Sequence, residues 1–289
     1  MRSIVIYGAR GWMGKSAISI LRKNFSNDFD LELTLIGSKN SQVNIDGVNY
    51  SILDSDSAKK SFKDIDIFFN AAFLRREFLK SLTHEEFVNR NNELSEFAFF
   101  ILDKFKPETF INLSSGAAAK DSLNLLDDPY GFLKRDWEKR FAAASSSNSV
   151  KFINCRIYSL TGRFINEFEN LAISQFIQSA LNEKKIFVNS EKATRTYVDS
   201  ETLCDLLFSM ALKGNGESFD SGGIKTTMGN LANSIKSVID PKNNELDLND
   251  EKSEDYYGDY VGFQELLGRY EIKLETLEQQ IAKTLIAFT

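Results

Sequence analysis

Residues 3–14 read SIVIYGARGWMG, an apolar, strand-forming run that leads directly into three spaced glycines. Gly8, Gly11 and Gly14 form the pattern G-x-x-G-x-x-G, placed where a first strand would pass into a first helix. Glycines at such a turn let backbone N–H groups approach a pyrophosphate at the helix N-terminus. The stretch therefore predicts a strand, a tight turn and a helix that together bind a dinucleotide.

Short β-branched or aromatic runs then alternate with stretches of helical period. The predicted strands are Ile4–Tyr7, Leu31–Ile36, Ile65–Phe69, Phe110–Leu113 and Phe152–Ile157, and the predicted helices are Lys15–Lys23, Ser57–Lys63, Glu85–Phe105 and Tyr130–Ala144. Nearly continuous apolar strands are typical of a parallel sheet covered by helices on both faces. The sequence predicts an α/β fold with a Rossmann-type doubly wound parallel sheet.

The alternation weakens after Thr161. We therefore expect a dinucleotide-binding domain over residues 1–160. Residues 161–289 are expected to form mainly a smaller C-terminal α/β substrate lobe, part of which can return to the sheet. Within it we predict a solvated loop in the acidic, Asn-rich stretch 243–259 and a last helix over Tyr270–Phe288.

Composition narrows the functional classes. With 289 residues, 42% hydrophobic and 26% charged, the chain can bury a large core, which argues against disorder and small stapled scaffolds. A net charge of −6 argues against nucleic-acid binding. Cys155 and Cys204 are far apart and His84 is the only histidine, so we expect neither a disulfide framework nor a metal site. Two isolated cysteines and no apolar run near ~18 residues suggest a cytoplasmic protein without membrane partners.

A tyrosine and a lysine are four residues apart at the start of the fourth predicted helix. Asp128 is placed to cap this helix and Pro129 suits its first position. Spacing of four puts Tyr130 and Lys134 on one face, and a nearby ammonium favours the phenolate, lowering the tyrosine pKa from ~10. The tyrosine is thus a candidate proton donor or acceptor.

Two hydroxyls follow the preceding apolar strand. Ser114 and Ser115 would lie at the carboxyl edge of the sheet, where open α/β folds bind ligands. Ser115 can hydrogen-bond a substrate carbonyl, although a plain Ser-Gly turn is the alternative. The dense apolar run 97–102 of the third helix indicates either a helix packed under a loop or, with equal weight, a helix that also forms part of a homodimer interface.

In the order of its motifs the chain resembles the extended short-chain dehydrogenase/reductases, the NAD-dependent epimerase/dehydratase family, over nearly its whole length. The likeness rests on the loop 8–14, Asn70-Ala71-Ala72, Asn89, Ser114-Ser115, Tyr130-x-x-x-Lys134, Arg195-Thr196-Tyr197-Val198 and Phe219-Asp220-Ser221-Gly222-Gly223.

The resemblance implies a role for each site residue. Tyr130 would be the acid/base, Lys134 would hold the nicotinamide ribose and lower the tyrosine pKa, and Ser115, with Ser114 as the fallback, would orient the reacting oxygen. A nucleotide-sugar substrate, with its diphosphate near Arg195, a homodimer and a place in polysaccharide biosynthesis are implied as well. The cofactor-binding set would be Gly8, Arg10, Gly11, Trp12, Met13, Gly14, Ser38, Lys39, Asn70, Ala71, Ala72 and Lys134. The substrate-binding set would be Ser114, Ser115, Tyr130 and Arg195.

The end of the second strand bears on the choice of cofactor. NAD-preferring folds place Asp or Glu there, whereas this chain has Gly37, Ser38 and Lys39. Lys39, Ser38 and Arg10 can receive a 2′-phosphate, so we expect NADP in preference to NAD. The alternative is that Lys39 and Arg10 are solvated charges.

Comparison with the family's reactions narrows the expected chemistry. Gly116 and Ala117 stand where 4,6-dehydratases carry an acidic pair, and Ala119 replaces a tyrosine usually found four residues after the hydroxyl. The Cys and His of epimerase-reductases are not matched after Ser115. We therefore expect an NADP-dependent reductase of a nucleotide-linked 4-keto-sugar, with a C4 epimerase that holds NAD firmly as the alternative. A non-catalytic dinucleotide sensor is a third hypothesis.

Overall fold

The computed structural model describes residues 1–27, 30–166, 171–182, 184–239 and 245–288. The strands are β1 Arg2–Tyr7, β2 Leu31–Ile36, β3 Ser41–Ile45, β4 Val48–Ile52, β5 Ile67–Asn70, β6 Thr109–Ser115, β7 Lys151–Ile157, β8 Ser159–Thr161, β9 Ile186–Val188, β10 Thr194–Asp199, β11 Ser218–Asp220, β12 Ile224–Thr227 and β13 Leu246–Leu248. The helices are α1 Trp12–Ile20, α2 Ser55–Lys59, α3 His84–Phe105, α4 Pro129–Ser147, α5 Ala172–Leu181, α6 Ser200–Leu212, α7 Met228–Ile239, α8 Tyr260–Arg269 and α9 Leu277–Leu285.

A six-stranded sheet in the order β11-β7-β6-β5-β1-β2 forms the centre of the fold. Strand β1 pairs in parallel with β2 on one side and β5 on the other, and β5 pairs in parallel with β6. The direction of winding changes between β1 and β5, so the carboxyl ends of these strands border the crevice where such folds bind ligands. The predicted α/β class and Rossmann-type sheet are confirmed.

The chain forms two compact units, residues 1–156 with 204–219, and residues 157–203 with 220–289. The first contains β1 to β6, α1 to α4 and an aromatic core that includes Phe68, Phe110, Trp137 and Phe141. In the second, β10 pairs antiparallel with β12 and parallel with β8, and β13 pairs with β9. The predicted domain extents stay a prediction.

Helix α3 carries the dense apolar run. Four of its six members, at positions 97, 98, 101 and 102, are buried in the core of the first unit. The Arg140 guanidinium lies 4.8 Å from the centre of the Phe99 ring, and the ammonium groups of Lys59 and Lys104 lie 5.5 and 5.4 Å from that of Phe100. Core packing thus explains most of this run, and the homodimer stays a prediction.

The predicted last helix begins too early. Helix α8 ends at Arg269 with Tyr270 as its C-cap, and Glu271 follows with a left-handed φ of 58°, which interrupts a helix. Helix α9 starts at Leu277, where Thr276 and Gln279 form a capping box. The apolar spacing of the stretch continues across this break, so periodicity alone placed the start wrongly. Within the predicted loop 243–259, residues 243 and 244 lie outside the described residues.

No described helix is long and apolar enough to cross a membrane. Among those same residues, no group of three or more His, Cys, Asp or Glu side chains is arranged to hold a metal ion. Cys155 and Cys204 are both buried and carry free thiols.

The backbone packs so closely around Gly14 that a side chain there should lower the stability of the protein. A Cβ added at Gly14 would lie 2.6 Å from the Ala9 Cα, so Gly14→Ala should lower the free energy of unfolding by about 1–3 kcal/mol through overpacking. Gly268→Ala is the control, because nothing lies within 4 Å of its added Cβ and alanine should stabilise helix α8 by about 0.5–1 kcal/mol. Urea unfolding followed by circular dichroism measures both; equal stability of Gly14→Ala and the wild type would contradict the packing.

Candidate functional site

The glycine loop connects the carboxyl end of β1 to the N-terminus of α1. Gly8 has a φ of +90°, and a Cβ there would lie 2.8 Å from the Ala71 carbonyl carbon, so the loops after β1 and β5 touch at a point that only glycine allows. The N-cap of α1 is Gly11, which offers no side chain to the first N–H groups of the helix. The positive end of the helix dipole and these N–H groups suit a pyrophosphate, so the loop fits a dinucleotide.

Three polar residues predicted to select the cofactor lie around the end of β2. Ser38, Lys39 and Arg10 are all exposed. The Cδ of Arg10 is 3.7 Å from the position that a Cβ on Gly37 would occupy. The structure therefore brings Arg10 from the glycine loop beside the residue that precedes Ser38 and Lys39.

A row of buried amides crosses the neighbouring strands. The Asn70 amide nitrogen, on β5, donates to the Asn112 amide oxygen on β6 at 3.3 Å, and Asn112 donates to Asn154 on β7 at 2.8 Å. The Asn70 oxygen accepts from the Ala72 backbone N–H at 3.3 Å. Asn70, Ala71 and Ala72 thus form a fixed turn facing the glycine loop. Sequence reasoning missed Asn112 and Asn154, whose only signal was an amide within an apolar strand.

Helix α4 begins as the sequence predicted. Asp128 is the N-cap and accepts from the Gly131 N–H at 2.9 Å, and Pro129 is the first helical residue. Tyr130 and Lys134 follow one turn apart in the first turns of the helix. Tyr130, the predicted acid/base, and Lys134, predicted to lower its pKa, therefore belong to one helix.

Lys134 is buried, with 7% of its surface exposed. Its ammonium nitrogen donates to the Leu113 carbonyl at 2.7 Å and lies 3.9 Å from the centre of the Phe73 ring. Burial lowers the pKa of Lys134 to about 7, against the opposing effect of the Glu138 charge. The group can therefore change charge near neutral pH.

The two serines at the end of β6 have different partners. The Ser114 hydroxyl donates to the Glu138 carboxylate at 2.5 Å, and the Arg156 guanidinium donates to the same carboxylate at 2.7 and 2.9 Å. Burial raises the pKa of the Glu138 carboxyl, but hydrogen bonds from Arg156 and Ser114 outweigh it and hold the pKa below its ordinary value. The Ser115 oxygen accepts from the Ala117 N–H at 3.2 Å, an arrangement in which its O–H can still donate to a substrate.

Two side chains that sequence reasoning missed hold the Tyr130 ring. The Phe73 and Tyr130 rings meet edge to face with their centres 5.4 Å apart, and the Arg76 guanidinium lies 5.1 Å from the centre of the tyrosine ring. Arg76 also donates to both carboxylate oxygens of Asp128, at 3.0 and 3.1 Å, and Lys120 pairs with that carboxylate at 3.3 Å. The available signal was the position of both residues just after the Asn70 turn.

The remaining motif residues differ in placement. Asn89 is exposed on α3, whereas the buried asparagine of this helix is Asn91, which sequence reasoning passed over. Arg195 lies on β10 in the second unit, where its guanidinium donates to the carbonyls of Thr194 and Glu254, both at 2.8 Å. Its predicted diphosphate contact stays a prediction.

Comparisons with known proteins add to this geometry. A sequence model of the NAD dependent epimerase/dehydratase family matches residues 4–222. No curated protein sequence matches the chain. Among solved structures, the chain is similar to a UDP-N-acetylglucosamine 4-epimerase from Methanobrevibacter ruminantium M1 in complex with UDP-N-acetylmuramic acid (19% identity, TM-score 0.80, 99% of this chain and 98% of that chain).

Two further structures cover equally much of the chain. One is a UDP-glucose 4-epimerase from Thermotoga maritima with UDP-glucose (17% identity, TM-score 0.75, 99% of this chain and 98% of that chain). The other is a UDP-glucuronic acid 4-epimerase from Bacillus cereus in complex with UDP-glucuronic acid and NAD (14% identity, TM-score 0.74, 99% of this chain and 98% of that chain). At these identities the similarity shows the fold.

Burial of Lys134 predicts a stability gain when it is replaced. In the unfolded chain the lysine binds a proton below its ordinary pKa of 10.5, whereas in the native protein it does so only below about 7. Native stability therefore rises with pH across this window, by at most about 1.4 kcal/mol per pH unit from this group. Lys134→Met should be more stable than the wild type at pH 7.5, with a gap that narrows toward pH 9.5 in urea unfolding.

Lys139→Met is the matched control, since Lys139 is an exposed lysine of the same helix. It should leave the pH dependence of unfolding as in the wild type, because its side chain is in water in both states. A gap for Lys134→Met that stays constant or widens with rising pH would contradict the depressed pKa of this lysine.

Proposed function

The chain belongs to the NAD dependent epimerase/dehydratase family, enzymes of the short-chain dehydrogenase/reductase class that use a nicotinamide dinucleotide, and we propose that it is a nucleotide-sugar 4-epimerase. The observation that carries the proposal is that Tyr130 and Lys134 lie on one helix, and that the Lys134 ammonium donates to the Leu113 carbonyl of β6, the strand that ends at Ser115. These are the groups that proton transfer at a sugar hydroxyl requires: an acid/base, a cation and a hydrogen-bond donor.

The comparisons reverse the order of the two reactions considered from the sequence. The sequence analysis placed a reductase of a 4-keto-sugar before a C4 epimerase. Similarity to three 4-epimerases, two of them bound to the nucleotide sugar of their names, favours the epimerase. We therefore take epimerisation as the main proposal and net reduction as the second candidate.

Each side chain has a role in the proposed reaction. Tyr130, as the phenolate, takes the proton from the sugar 4-hydroxyl and later returns it to the ketone oxygen, while Ser115 donates a hydrogen bond to that oxygen. Lys134 in its charged form favours the phenolate of Tyr130. When bound at the glycine loop, the nicotinamide dinucleotide supplies the acceptor and donor of the hydride. Inversion then needs the keto sugar to present its other face before reduction.

The reductase keeps one specific observation in its favour. Arg10 lies beside Gly37 at the end of β2, next to Lys39, and no carboxylate stands at positions 36–39. Two cations there suit a 2′-phosphate, which points to NADP. A net reductase exchanges NADPH at each turnover, whereas an epimerase regenerates its NAD within one catalytic cycle.

Substitution of the tyrosine tests the proposed reaction. We expect the wild type to interconvert UDP-glucose with UDP-galactose, or their N-acetyl derivatives, as followed by proton NMR. Tyr130→Phe should lower kcat by about 10²–10⁴-fold through loss of proton transfer, with NAD affinity unchanged. Tyr50→Phe, on β4, removes a phenol elsewhere and should leave kcat as in the wild type. Full turnover by Tyr130→Phe would overturn the assignment.

Cofactor titration decides between the two reactions. If the chain is a reductase, the nucleotide-free protein should bind NADPH more tightly than NADH in reduced-nicotinamide fluorescence. Arg10→Ala with Lys39→Ala should then weaken NADPH binding at least about tenfold, because a hydrogen bond to a charged group contributes about 1.5–3 kcal/mol. Lys63→Ala is the control for an exposed cation. Tighter binding of NADH, unaffected by the double substitution, supports the epimerase.

A further inference from the structure

The Phe73 side chain contacts both Tyr130, the proposed acid/base, and Lys134, the cation proposed to favour its phenolate. It meets the Tyr130 ring edge to face, with an angle of 84° between the rings. The Lys134 ammonium lies over its face, 3.9 Å from the ring centre. Trp137 packs against the same ring at 4.7 Å between centres. One aromatic ring therefore touches three side chains that helix α4 presents at successive turns.

The backbone around Phe73 is held on both sides. The Ala72 N–H donates to the Asn70 side chain, and the Leu74 N–H donates to the Asn91 side chain at 2.8 Å. Asn91 is itself buried and donates to the Phe87 carbonyl at 2.9 Å. Because its neighbours along the chain are tied to β5 and to α3, the Phe73 ring is a fixed platform.

We propose that Phe73 is a positioning residue whose ring face holds the Lys134 ammonium and whose contact with Tyr130 fixes the tyrosine ring beside it. The inference rests on the proposed roles of Tyr130 and Lys134. An aromatic face attracts a cation through its quadrupole, and the attraction grows where water is excluded. At a buried lysine this attraction opposes the loss of hydration, so the ring favours the charged form that the reaction uses.

The other groups around Lys134 affect its pKa in directions that follow from their charges. The Leu113 carbonyl on β6 accepts its hydrogen bond, and the Glu138 charge on α4 raises its pKa. Arg156 on β7 pairs with Glu138 and moderates that effect. Tyr130 lies one turn before Lys134 on the same helix and carries the remaining phenol of this group. Phe73 is an uncharged side chain, so its contribution can be changed without adding or removing a charge.

The test follows the titration of Lys134 itself by NMR in protein labelled with ¹³C-lysine, the Lys134 signal being assigned by its loss in Lys134→Met. Phe73→Leu should lower the titration midpoint by about one pH unit. Replacing Phe73 by 3,4,5-trifluorophenylalanine keeps the shape of the ring and weakens its quadrupole. It should lower the midpoint in the same direction by a smaller amount, and it covers the case in which Phe73→Leu does not fold.

Phe87 offers the matched control, because it is fully buried and packs edge to face against Phe73, with 6.3 Å between ring centres. Phe87→Leu and trifluorophenylalanine at position 87 should leave the Lys134 midpoint as in the wild type. An unchanged midpoint with trifluorophenylalanine at position 73, or an equal shift from the Phe87 changes, overturns the proposal.

The measurement uses no substrate and so separates this inference from the proposed function. If the wild type turns over no nucleotide sugar but the Lys134 midpoint shifts as expected, the proposed function is wrong and the role of Phe73 stands. If the wild type is active but the Lys134 midpoint does not shift in the Phe73 variants, the role of Phe73 is wrong and the proposed function stands.

Discussion

The placement of one buried lysine constrains the rest of the proposed site. A lysine ammonium removed from water loses its hydration, and the protein must offer other partners to keep it charged. Lys134 has a backbone carbonyl at the end of β6, the face of Phe73 and the nearby charge of Glu138. With a pKa of about 7 these partners offset only part of the loss. Small changes around this lysine therefore alter its charge near neutral pH.

The partners of Lys134 are themselves fixed by polar contacts between strands. Glu138 is bound by Arg156 of β7 and by Ser114 of β6, so the carboxylate ties helix α4 to two strand ends. The buried amides of Asn112 and Asn154 join the same two strands below it. A buried carboxylate without these donors would carry a large desolvation cost. Hence the Ser114 hydroxyl is taken up by this support, and Ser115 is the serine whose hydroxyl we propose to contact the substrate.

Features that depend on residues close together in the sequence were predicted, whereas contacts between residues far apart in the sequence were missed. The glycine turn, the Asp128 cap and the shared face of Tyr130 and Lys134 are local features, and local spacing was enough to place them. Phe73 and Arg76 act on Tyr130 across 57 and 54 positions of the chain, so only the packing of α4 against the Asn70 turn reveals them. The start of α9 was misplaced because apolar spacing continues through residues that a left-handed Glu271 and a capping Thr276 keep outside the helix.

The contact between the turns after β1 and β5 brings the proposed cofactor loop close to the proposed acid/base. The Gly8 turn leaves no room for a side chain against Ala71, so the loop that we propose to bind the dinucleotide and the turn that leads to Phe73 are in direct contact. A cofactor held at that loop is thus next to the segment that positions Lys134 and Tyr130. A dinucleotide bound there would bring phosphate charge to this contact, and added negative charge would raise the pKa of Lys134, which burial holds at about 7. On the proposed roles of Tyr130 and Lys134, the two turns that follow β1 and β5 are therefore the segments through which cofactor binding would act on proton transfer.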